Sequence, residues 1–237
     1  MPRRSGKTKE KFKTRNDVFD KFTSETLFRL ISRGYFEGLE SPISIGKESN
    51  VFSALRKDNV RVMVKIYRLE TCDFNRMYDY IKSDPRFPKL KKGRRKIIFS
   101  WVQREFRNLL KAREAGVNVP TPLAFLNNVL VLEFIGSGNV IAPQLKDKKP
   151  EDSEKFFGKV IGNVKKLYKA RIVHGDLSAF NILNNSEIPV LIDFSQATTL
   201  DDPNSLSYLE RDVRNLCIFF RKLGMEINAK KIMDKLK

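Results

Sequence analysis

Three polar side chains within residues 173–197 have the types and the spacing that phosphoryl transfer needs. The segment reads VHGDLSAFNILNNSEIPVLIDFSQA, with Asp176, then Asn181 five positions later, then Asp193 after a short apolar run. Phosphoryl transfer asks a protein for positioning and charge neutralisation more than for covalent work. An aspartate can orient the attacking hydroxyl, an asparagine can offer Mg²⁺ a neutral oxygen, and a second aspartate can bind the metal that bridges the phosphates. The three residues fit these roles in that order.

The first part of this segment, HGDLSAFN, has the H-x-D-L-x-x-x-N spacing of a kinase catalytic loop. The residues that follow can form a hairpin that returns Asp193 to the side of Asn181. The alternative is a capped turn in which Asp176 and Asn181 satisfy backbone groups. For His174, the only histidine of the chain, we expect a packed and hydrogen-bonded ring that holds the loop. Acid-base chemistry is the alternative for this residue.

A lysine and a glutamate upstream could supply the cation that the phosphates need. The segment NVRVMVKIYR alternates in period two and predicts a strand that carries Lys65. The segment IIFSWVQREFRNLLKAREAG predicts a helix that ends near Gly116. On that helix Glu105 lies four residues after Trp101 and four before Leu109, within the apolar stripe. A carboxylate there is costly unless it is paired. Lys65 resembles the V-A-I-K lysine of kinases, which a helix carboxylate holds, and Glu105 is the available partner. The alternative is a glutamate at the edge of the stripe that reaches water.

A loop that covers a nucleotide should precede the lysine strand, and SIGKESNVFSA holds that position about twenty residues before Lys65. It is not a G-x-G-x-x-G loop, because Gly46 is its only glycine. Its expected nucleotide-contacting residues are Ile45, Gly46, Lys47, Glu48, Ser49, Asn50 and Val51.

The order of the predicted elements indicates an α+β fold with two lobes. After a basic flexible arm at residues 1–16, an N-lobe is expected over residues 17–132, with a leading helix in NDVFDKFTSETLFRLISRG and strands around the Glu105 helix. Residues 70–98 have weak periodicity and two prolines, which predicts a partly mobile basic insertion. The segment EFIG would connect to a mostly helical C-lobe over residues 133–237.

Composition narrows the partners. The 46 Lys and Arg against 28 Asp and Glu give a formal charge of +18, which favours a polyanionic partner. The basic arm and the block around residues 89–96 concentrate this charge, although a solvated charge run is the alternative for each. No apolar run approaches the roughly 20 residues of a membrane span, and the N-terminus has no apolar signal region. The two cysteines match no metal spacing, which favours a reducing cytosol.

The motifs, taken together, resemble the RIO family of atypical serine/threonine protein kinases. IGKESNVFSA, VKIY, WVQREFRNL, LEFIG, HGDLSAFNIL and IDFSQA occur in the order typical of that family, and the similarity covers about residues 17–225. The Ser-Gln pair after the second aspartate and the Ile-Gly-Lys-Glu loop are similar to the type-one branch. The compact length is similar to that of archaeal members.

The resemblance implies a reduced two-lobed protein-kinase-like fold with an antiparallel N-lobe sheet and an enzyme that uses ATP and Mg²⁺ or Mn²⁺. It implies that Asp176 is the catalytic aspartate, that Asn181 and Asp193 are the metal ligands, and that Lys65 contacts phosphates while paired to Glu105. The resemblance also implies that Asp193 itself can accept phosphate in an ATPase cycle through an aspartyl-phosphate, and chemistry allows this because a carboxylate beside the γ-phosphate is a competent nucleophile.

By the same resemblance, the backbone of Glu133 and Ile135 would hold the adenine. The implied role is maturation of the small ribosomal subunit in the cytoplasm, where the basic blocks would meet rRNA. The resemblance leaves the oligomeric state open.

Several residues depart from ordinary protein kinases. Gly175 stands where H-R-D has arginine, DFS replaces D-F-G, and no A-P-E follows Asp193. We therefore expect autophosphorylation in the 70–98 insertion, with Ser83 as one candidate, or slow ATP hydrolysis, rather than efficient transfer to other proteins. Two alternatives stay open on the motifs alone. One is a small-molecule phosphotransferase of the aminoglycoside or choline kinase type, and the other is a non-catalytic RNA-binding scaffold.

Overall fold

Five antiparallel strands form the sheet of the N-lobe. The computed structural model describes residues 19–82, 84, 87 and 93–236. The strands are β1 Gly38–Ile45, β2 Ser49–Leu55, β3 Arg61–Tyr67, β4 Pro122–Leu126 and β5 Val129–Glu133, in the spatial order β1-β2-β3-β5-β4. The strand predicted around Lys65 is therefore a central strand of this sheet, between β2 and β5.

The period-two pattern of β3 divides its side chains between two cores. Val62, Val64 and Ile66 face the leading helix α1, Lys21–Ser32, while Met63 and Tyr67 belong to the larger core shared with the C-lobe. Helix α1 begins where the Asp20 carboxylate accepts hydrogen bonds from the Thr23 amide and hydroxyl, at 3.0 and 2.7 Å. The leading helix predicted within residues 16–34 is thus present, and residues 1–18, which include the basic arm, lie outside the described residues.

Two helices follow β3. Helix α2 runs over Phe74–Lys82 and buries Met77 and Ile81, which lie four positions apart on one face. The predicted insertion is therefore helical in part. Phe74, Met77, Tyr78 and Ile81 recur at helical spacing, a signal that the sequence analysis missed. Helix α3 runs over Arg94–Glu114 and starts three residues before the segment that predicted it. Ser83 and the lysines at 89, 91 and 92 lie outside the described residues.

The C-lobe holds four further helical segments and three short strand pairs among the described residues. The elements are β6 Gly136–Ser137, β7 Val140–Ile141, α4 Ser153–Lys169, β8 Ile172–Val173, β9 Ile182–Asn185, β10 Ile188–Leu191, a 3-10 turn Phe194–Gln196, β11 Thr198–Thr199, α5 Ser205–Arg221 and α6 Ala229–Leu236. The predicted hairpin is confirmed, because β9 pairs antiparallel with β10. Its turn uses Ser186 and Glu187 with φ of 50° and 63°.

The described elements form the expected α+β fold, an antiparallel sheet followed by mostly helical structure. The larger core runs from Met63 on β3 through α3 to α4 and α5 and so joins the two lobes. Within residues 19–82 and 93–236, none of the helices combines the length and the apolar character that a bilayer crossing needs.

Candidate active site

Lys65 and Glu105 meet in the interior. The Lys65 Nζ lies 2.8 Å from the Glu105 Oε1, and only 1% of the Glu105 side chain is exposed. The predicted pair is therefore present, and a glutamate that reaches water from the edge of the stripe is excluded. The other carboxylate oxygen, Oε2, accepts a hydrogen bond of 2.5 Å from the Tyr67 hydroxyl. Tyr67 escaped the sequence analysis, although it lies two positions after Lys65 on the same face of β3.

Lys65 also reaches Asp193, whose Oδ1 lies 3.1 Å from the same Nζ. That oxygen accepts a further hydrogen bond of 2.7 Å from the Ser195 hydroxyl. Burial lowers the pKa of Lys65, but the carboxylates of Asp193 and Glu105 outweigh it and hold the pKa well above its usual value. Burial also raises the pKa of Asp193, but Lys65 and Ser195 outweigh it and leave the pKa lowered. The lysine is therefore a fixed cation between two carboxylates.

The catalytic loop, residues 174–181, joins β8 to β9 and carries Asp176 and Asn181. The Asn181 amide nitrogen donates to the Asp176 carbonyl at 2.7 Å and to its Oδ2 at 3.2 Å. The main-chain carbonyl of Asn181 accepts a hydrogen bond of 3.0 Å from the main-chain amide of Ile192, which brings Asp193 beside this loop. Burial, with the nearby charge of Asp193, raises the pKa of Asp176. The hairpin thus brings together the three residues with which the sequence analysis began.

His174 supports this loop from below. Its Nε2 lies 3.0 Å from the Ile192 carbonyl, and the Asp176 amide donates to its Nδ1 at 3.3 Å. These partners assign the proton to Nε2, since one ring nitrogen must donate and the other must accept. Burial lowers the pKa of His174 to about 4. The ring is neutral at pH 7 and holds the loop through two hydrogen bonds to main-chain groups, as expected from the sequence.

Asp212 of helix α5 was missed by the sequence analysis. Its carboxylate accepts from the amides of Gly175 and Leu177, both at 2.8 Å, and Arg211 donates to the Gly175 carbonyl. Burial raises the pKa of Asp212 to about 7, against the pull of the two amides. A signal was available, because Asp212 interrupts the apolar stripe of α5 between Leu209 and Leu216, much as Glu105 interrupts that of α3.

Gly175 itself has a conformational reason. Its φ is 78°, and a Cβ at this position would lie 2.9 Å from the Gln196 carbonyl oxygen. The segment after Asp193 therefore packs directly on the catalytic loop where an ordinary kinase has arginine. Helix α3 holds the same segment, because the Asn108 amide donates to the carbonyls of Phe194 and Ala197 at 3.0 and 2.8 Å.

A cavity of about 410 Å³ lies between the sheet and the C-lobe. Of the residues expected to contact nucleotide, Ser49, Val51, Lys65 and Ile135 line it, together with Glu105, Asn181 and Asp193. The side chain of Asn50 lines a smaller pocket beside α1 instead, because neighbours on a strand face opposite ways.

The turn between β1 and β2 holds the other expected nucleotide contacts. Gly46 donates to the Ser49 carbonyl at 3.0 Å, and the side chain of Ile45 is 62% exposed. The loop is held from the segment after β3, since the Thr71 hydroxyl donates to the Lys47 carbonyl at 2.7 Å and the Cys72 thiol to the Glu48 carbonyl at 3.0 Å. At the connector, the Glu133 side chain accepts from the Thr121 amide at 2.9 Å, and a role in nucleotide binding would fall to its backbone.

The donor set fits Mg²⁺. No group of three or more His, Cys, Asp or Glu side chains is arranged around a metal position in the described part of the chain. Asp193 offers a carboxylate, and Asn181 uses its amide nitrogen on Asp176, which leaves its amide oxygen for a cation. Mg²⁺ in phosphoryl-transfer sites takes one or two protein ligands and completes its shell with water and substrate phosphates.

Comparison with known proteins agrees with these motifs. The model of the RIO domain matches residues 50–232. The "RIO-type serine/threonine-protein kinase Rio1" of Methanocaldococcus jannaschii is 44% identical over 222 residues, which cover 93% of this chain and 76% of that protein. The protein of the same name from Haloferax volcanii is 38% identical over 228 residues, covering 96% and 79%.

Among solved structures, the Rio2 kinase-ADP/Mg²⁺-phosphoaspartate complex from Chaetomium thermophilum superposes with a TM-score of 0.66 at 23% identity, which supports the fold. That match covers 87% of this chain, and this chain spans 64% of the length of the other. The family match and the two archaeal relatives together cover the sheet, the catalytic loop and the helices behind it. The chain therefore belongs to the RIO family of atypical serine/threonine protein kinases.

Proposed function

We propose that this protein transfers the γ-phosphoryl group of ATP, with Mg²⁺ as the metal, and that the cavity between the lobes is the nucleotide site. The observation that carries the proposal is Lys65, within 2.8 Å of Glu105 and 3.1 Å of Asp193 at the cavity wall. Lys65 would contact the phosphates, Glu105 would hold it, and Asp193 and Asn181 would bind Mg²⁺. When bound, Mg²⁺ would neutralise charge on the transferred group.

Asp176 would orient the acceptor hydroxyl and take up its proton. Its raised pKa suits proton transfer better than that of a freely hydrated carboxylate does, because a stronger base accepts the proton more readily. The acceptor could be a serine or threonine, in the insertion or on another protein.

Asp193 is the second acceptor that we propose. Its carboxylate stays ionised beside Lys65, and an oxygen would form a bond to the γ-phosphorus while the bond from that phosphorus to the β-γ bridging oxygen breaks and ADP leaves. Water would then hydrolyse the acyl phosphate and complete an ATPase cycle. The name of the Chaetomium thermophilum complex records a phosphoaspartate in that Rio2 kinase.

The biological setting that we propose is small-subunit ribosome maturation in the cytoplasm, with precursor rRNA as the partner. The support is the formal charge of +18 and the family resemblance. Family membership favours this assignment over a small-molecule phosphotransferase. The retained set of Lys65, Glu105, Asp176, Asn181 and Asp193 favours an enzyme over a non-catalytic scaffold.

A single-turnover reaction with γ-labelled ATP and Mg²⁺ tests the proposal. Asp176→Ala and Asp193→Asn should each slow the release of phosphate and the labelling of protein by at least about a hundredfold. Asp58→Asn removes an exposed carboxylate in the β2–β3 turn and should react like the wild type. Label that hydroxylamine removes would identify an acyl phosphate, and stable label would identify Ser or Thr. Wild-type rates in both active-site variants would contradict the proposed chemistry.

A further inference from the structure

An aromatic ring is exposed on the catalytic loop itself. The Phe180 side chain is 60% exposed, although it adjoins Asn181. The loop holds its backbone firmly, since the Phe180 amide donates to the Ser178 hydroxyl at 3.3 Å and the next amide donates to the Ser178 carbonyl at 2.9 Å. Because this backbone is already ordered, a ligand that packs on the ring does not need to order the loop.

Cationic side chains accompany this ring. The Lys146 Nζ lies 5.2 Å from the centre of the Phe180 ring, and the Lys146 amide donates to the Ala179 carbonyl at 3.2 Å. Lys148 and Lys149 are exposed in the same segment. One carboxylate, that of Asp147, lies 3.0 Å from the Lys146 Nζ, so residues 146–149 carry three positive charges and one negative charge.

A second pair of an aromatic ring and a cation flanks the other end of the loop. The Arg211 guanidinium lies 5.2 Å from the centre of the Tyr208 ring and donates to the Gly175 carbonyl. Two pairs of an aromatic ring and a cation therefore flank the loop, one at each end. Surfaces that bind single-stranded nucleic acid combine such rings, on which bases stack, with cations that follow the phosphates.

We propose that the Phe180 ring is a stacking platform for an unpaired base of single-stranded RNA, with Lys146, Lys148 and Lys149 along the adjoining phosphates. The inference rests on the RNA partner of the proposed function and gives that partner a place at the active-site mouth. RNA fits better than an apolar peptide, because the ring is edged by lysines and the whole chain carries +18. An unpaired base is required, since the bases of a duplex have their faces covered by their neighbours.

The test is fluorescence anisotropy with a labelled, unstructured single-stranded RNA, in buffer without ATP or Mg²⁺. Phe180→Ala and the less disruptive Phe180→Leu should each weaken binding at least about fivefold, because stacking on one aromatic ring contributes that much or more. Phe180→Trp should stay within about twofold of the wild type. Phe28→Ala is the matched control, because Phe28 is also 60% exposed but lies on α1.

Salt and strandedness separate stacking from charge. Phe180→Leu should leave the slope of log affinity against log salt unchanged, whereas Lys146→Gln should reduce it by about 0.7. The same RNA annealed to its complement should bind the wild type and Phe180→Leu equally. Wild-type affinity of Phe180→Leu for single strands, or an equal loss on duplex, would overturn the inference. Failure of the wild type to bind RNA would overturn it together with the RNA partner, while the γ-labelled ATP reaction judges the phosphoryl transfer separately.

Discussion

Asp193 and Asp176 lie in the same site, yet the structure holds them in two different ways. Asp193 is fixed by the charge of the Lys65 ammonium and by a hydrogen bond from the Ser195 hydroxyl. Asp176 is fixed through its backbone and through Asn181, in a loop that Asp212 and His174 hold by hydrogen bonds to main-chain groups. The pKa of Asp193 is lowered and that of Asp176 is raised. In the proposed function the two carboxylates thereby acquire separate tasks, Asp193 as a charged ligand and Asp176 as a proton acceptor.

The region around Asp193 and the region around Asp176 are also built by different lobes. The cation at Asp193 comes from β3 of the N-lobe, and its partner Glu105 comes from α3. The catalytic loop is held by Ile192, which directly follows β10, and by Asp212 of α5, both within the C-lobe. A movement between the lobes would change the charge environment of Asp193 and leave the geometry around Asp176 intact. We therefore expect a substitution near Asp193 to leave the catalytic loop unaffected, and a substitution in the catalytic loop to leave the ion pairs of Lys65 unaffected.

The largest effect is expected from Lys65→Met. It leaves Glu105 buried with only its Tyr67 hydrogen bond, and breaking a buried ion pair from one side costs about 3–5 kcal/mol of unfolding free energy. Denaturant unfolding measures this loss, and phosphoryl transfer should fall below detection. The matched control is Lys82→Met, which breaks an exposed pair with Asp79 at 2.7 Å and should cause no measurable change. Equal stability of the two variants would contradict the account of the buried pair.

A somewhat smaller loss of stability is expected when the pH is lowered, because His174 holds the catalytic loop. The folded pKa of His174, about 4, lies below its ordinary value of 6.5, so the unfolded chain binds the proton more readily. The contribution of His174 to the unfolding free energy should therefore rise with pH between about 4 and 6.5. It should disappear as the pH falls through that window. The shift corresponds to about 3 kcal/mol.

The wild type minus His174→Gln difference in unfolding free energy isolates this contribution, because the chain has no other histidine. The difference should change across the window, while the carboxylates common to both proteins cancel. The single imidazole should also keep one NMR chemical shift from pH 7.5 down to pH 5. An imidazole that titrates near pH 6.5 would show that the ring of His174 is not buried and does not hold the loop as a neutral side chain.

Tyr67→Phe should cause an intermediate loss of unfolding free energy, in the region around Asp193 that holds the Lys65–Glu105 pair. It removes the 2.5 Å hydrogen bond to Glu105 while keeping the ring, and hydrogen bonds to charged groups contribute about 1.5–3 kcal/mol. Thermal or denaturant unfolding should show a loss near 2 kcal/mol. The pH dependence that belongs to His174 should be unchanged. Tyr35→Phe, at a half-buried tyrosine after α1, serves as the control. A changed pH profile would mean that the two regions are coupled.

Residues whose polarity conflicts with an apolar pattern were the most informative part of the sequence. The Lys65–Glu105 contact was predicted from the resemblance of Lys65 to the kinase lysine, with the carboxylate on a helical stripe as support. The return of Asp193 to Asn181 was predicted from a hairpin between them. The same argument applied to α5 would have found Asp212. Tyr67 was hidden because a tyrosine on a buried strand face is ordinary, and only its hydroxyl partner distinguishes it.

Tertiary packing set the features that local patterns could not supply. Helix α2 is not one of these features, because Phe74, Met77, Tyr78 and Ile81 recur at helical spacing and the sequence analysis missed that pattern. The side chain of Asn50 faces away from the cavity between the lobes because β2 already begins at Ser49, which sets the alternation of faces. A loop with one glycine gave no indication that Thr71 and Cys72 would hold it from behind.

The smallest effect is expected at that loop, and it extends the comparison to nucleotide binding. Thr71→Val keeps the shape of the side chain but removes the 2.7 Å hydrogen bond to the Lys47 carbonyl. A net loss of about 0.5–1 kcal/mol should raise the KM for ATP two- to fivefold. Because Thr71 contacts neither Asp193 nor the catalytic loop, kcat should stay at the wild-type value. Thr71→Ser retains the hydroxyl and should restore the KM. A fall in kcat with an unchanged KM would instead mean that this segment acts on the catalytic loop, and the separation of the two regions would fail.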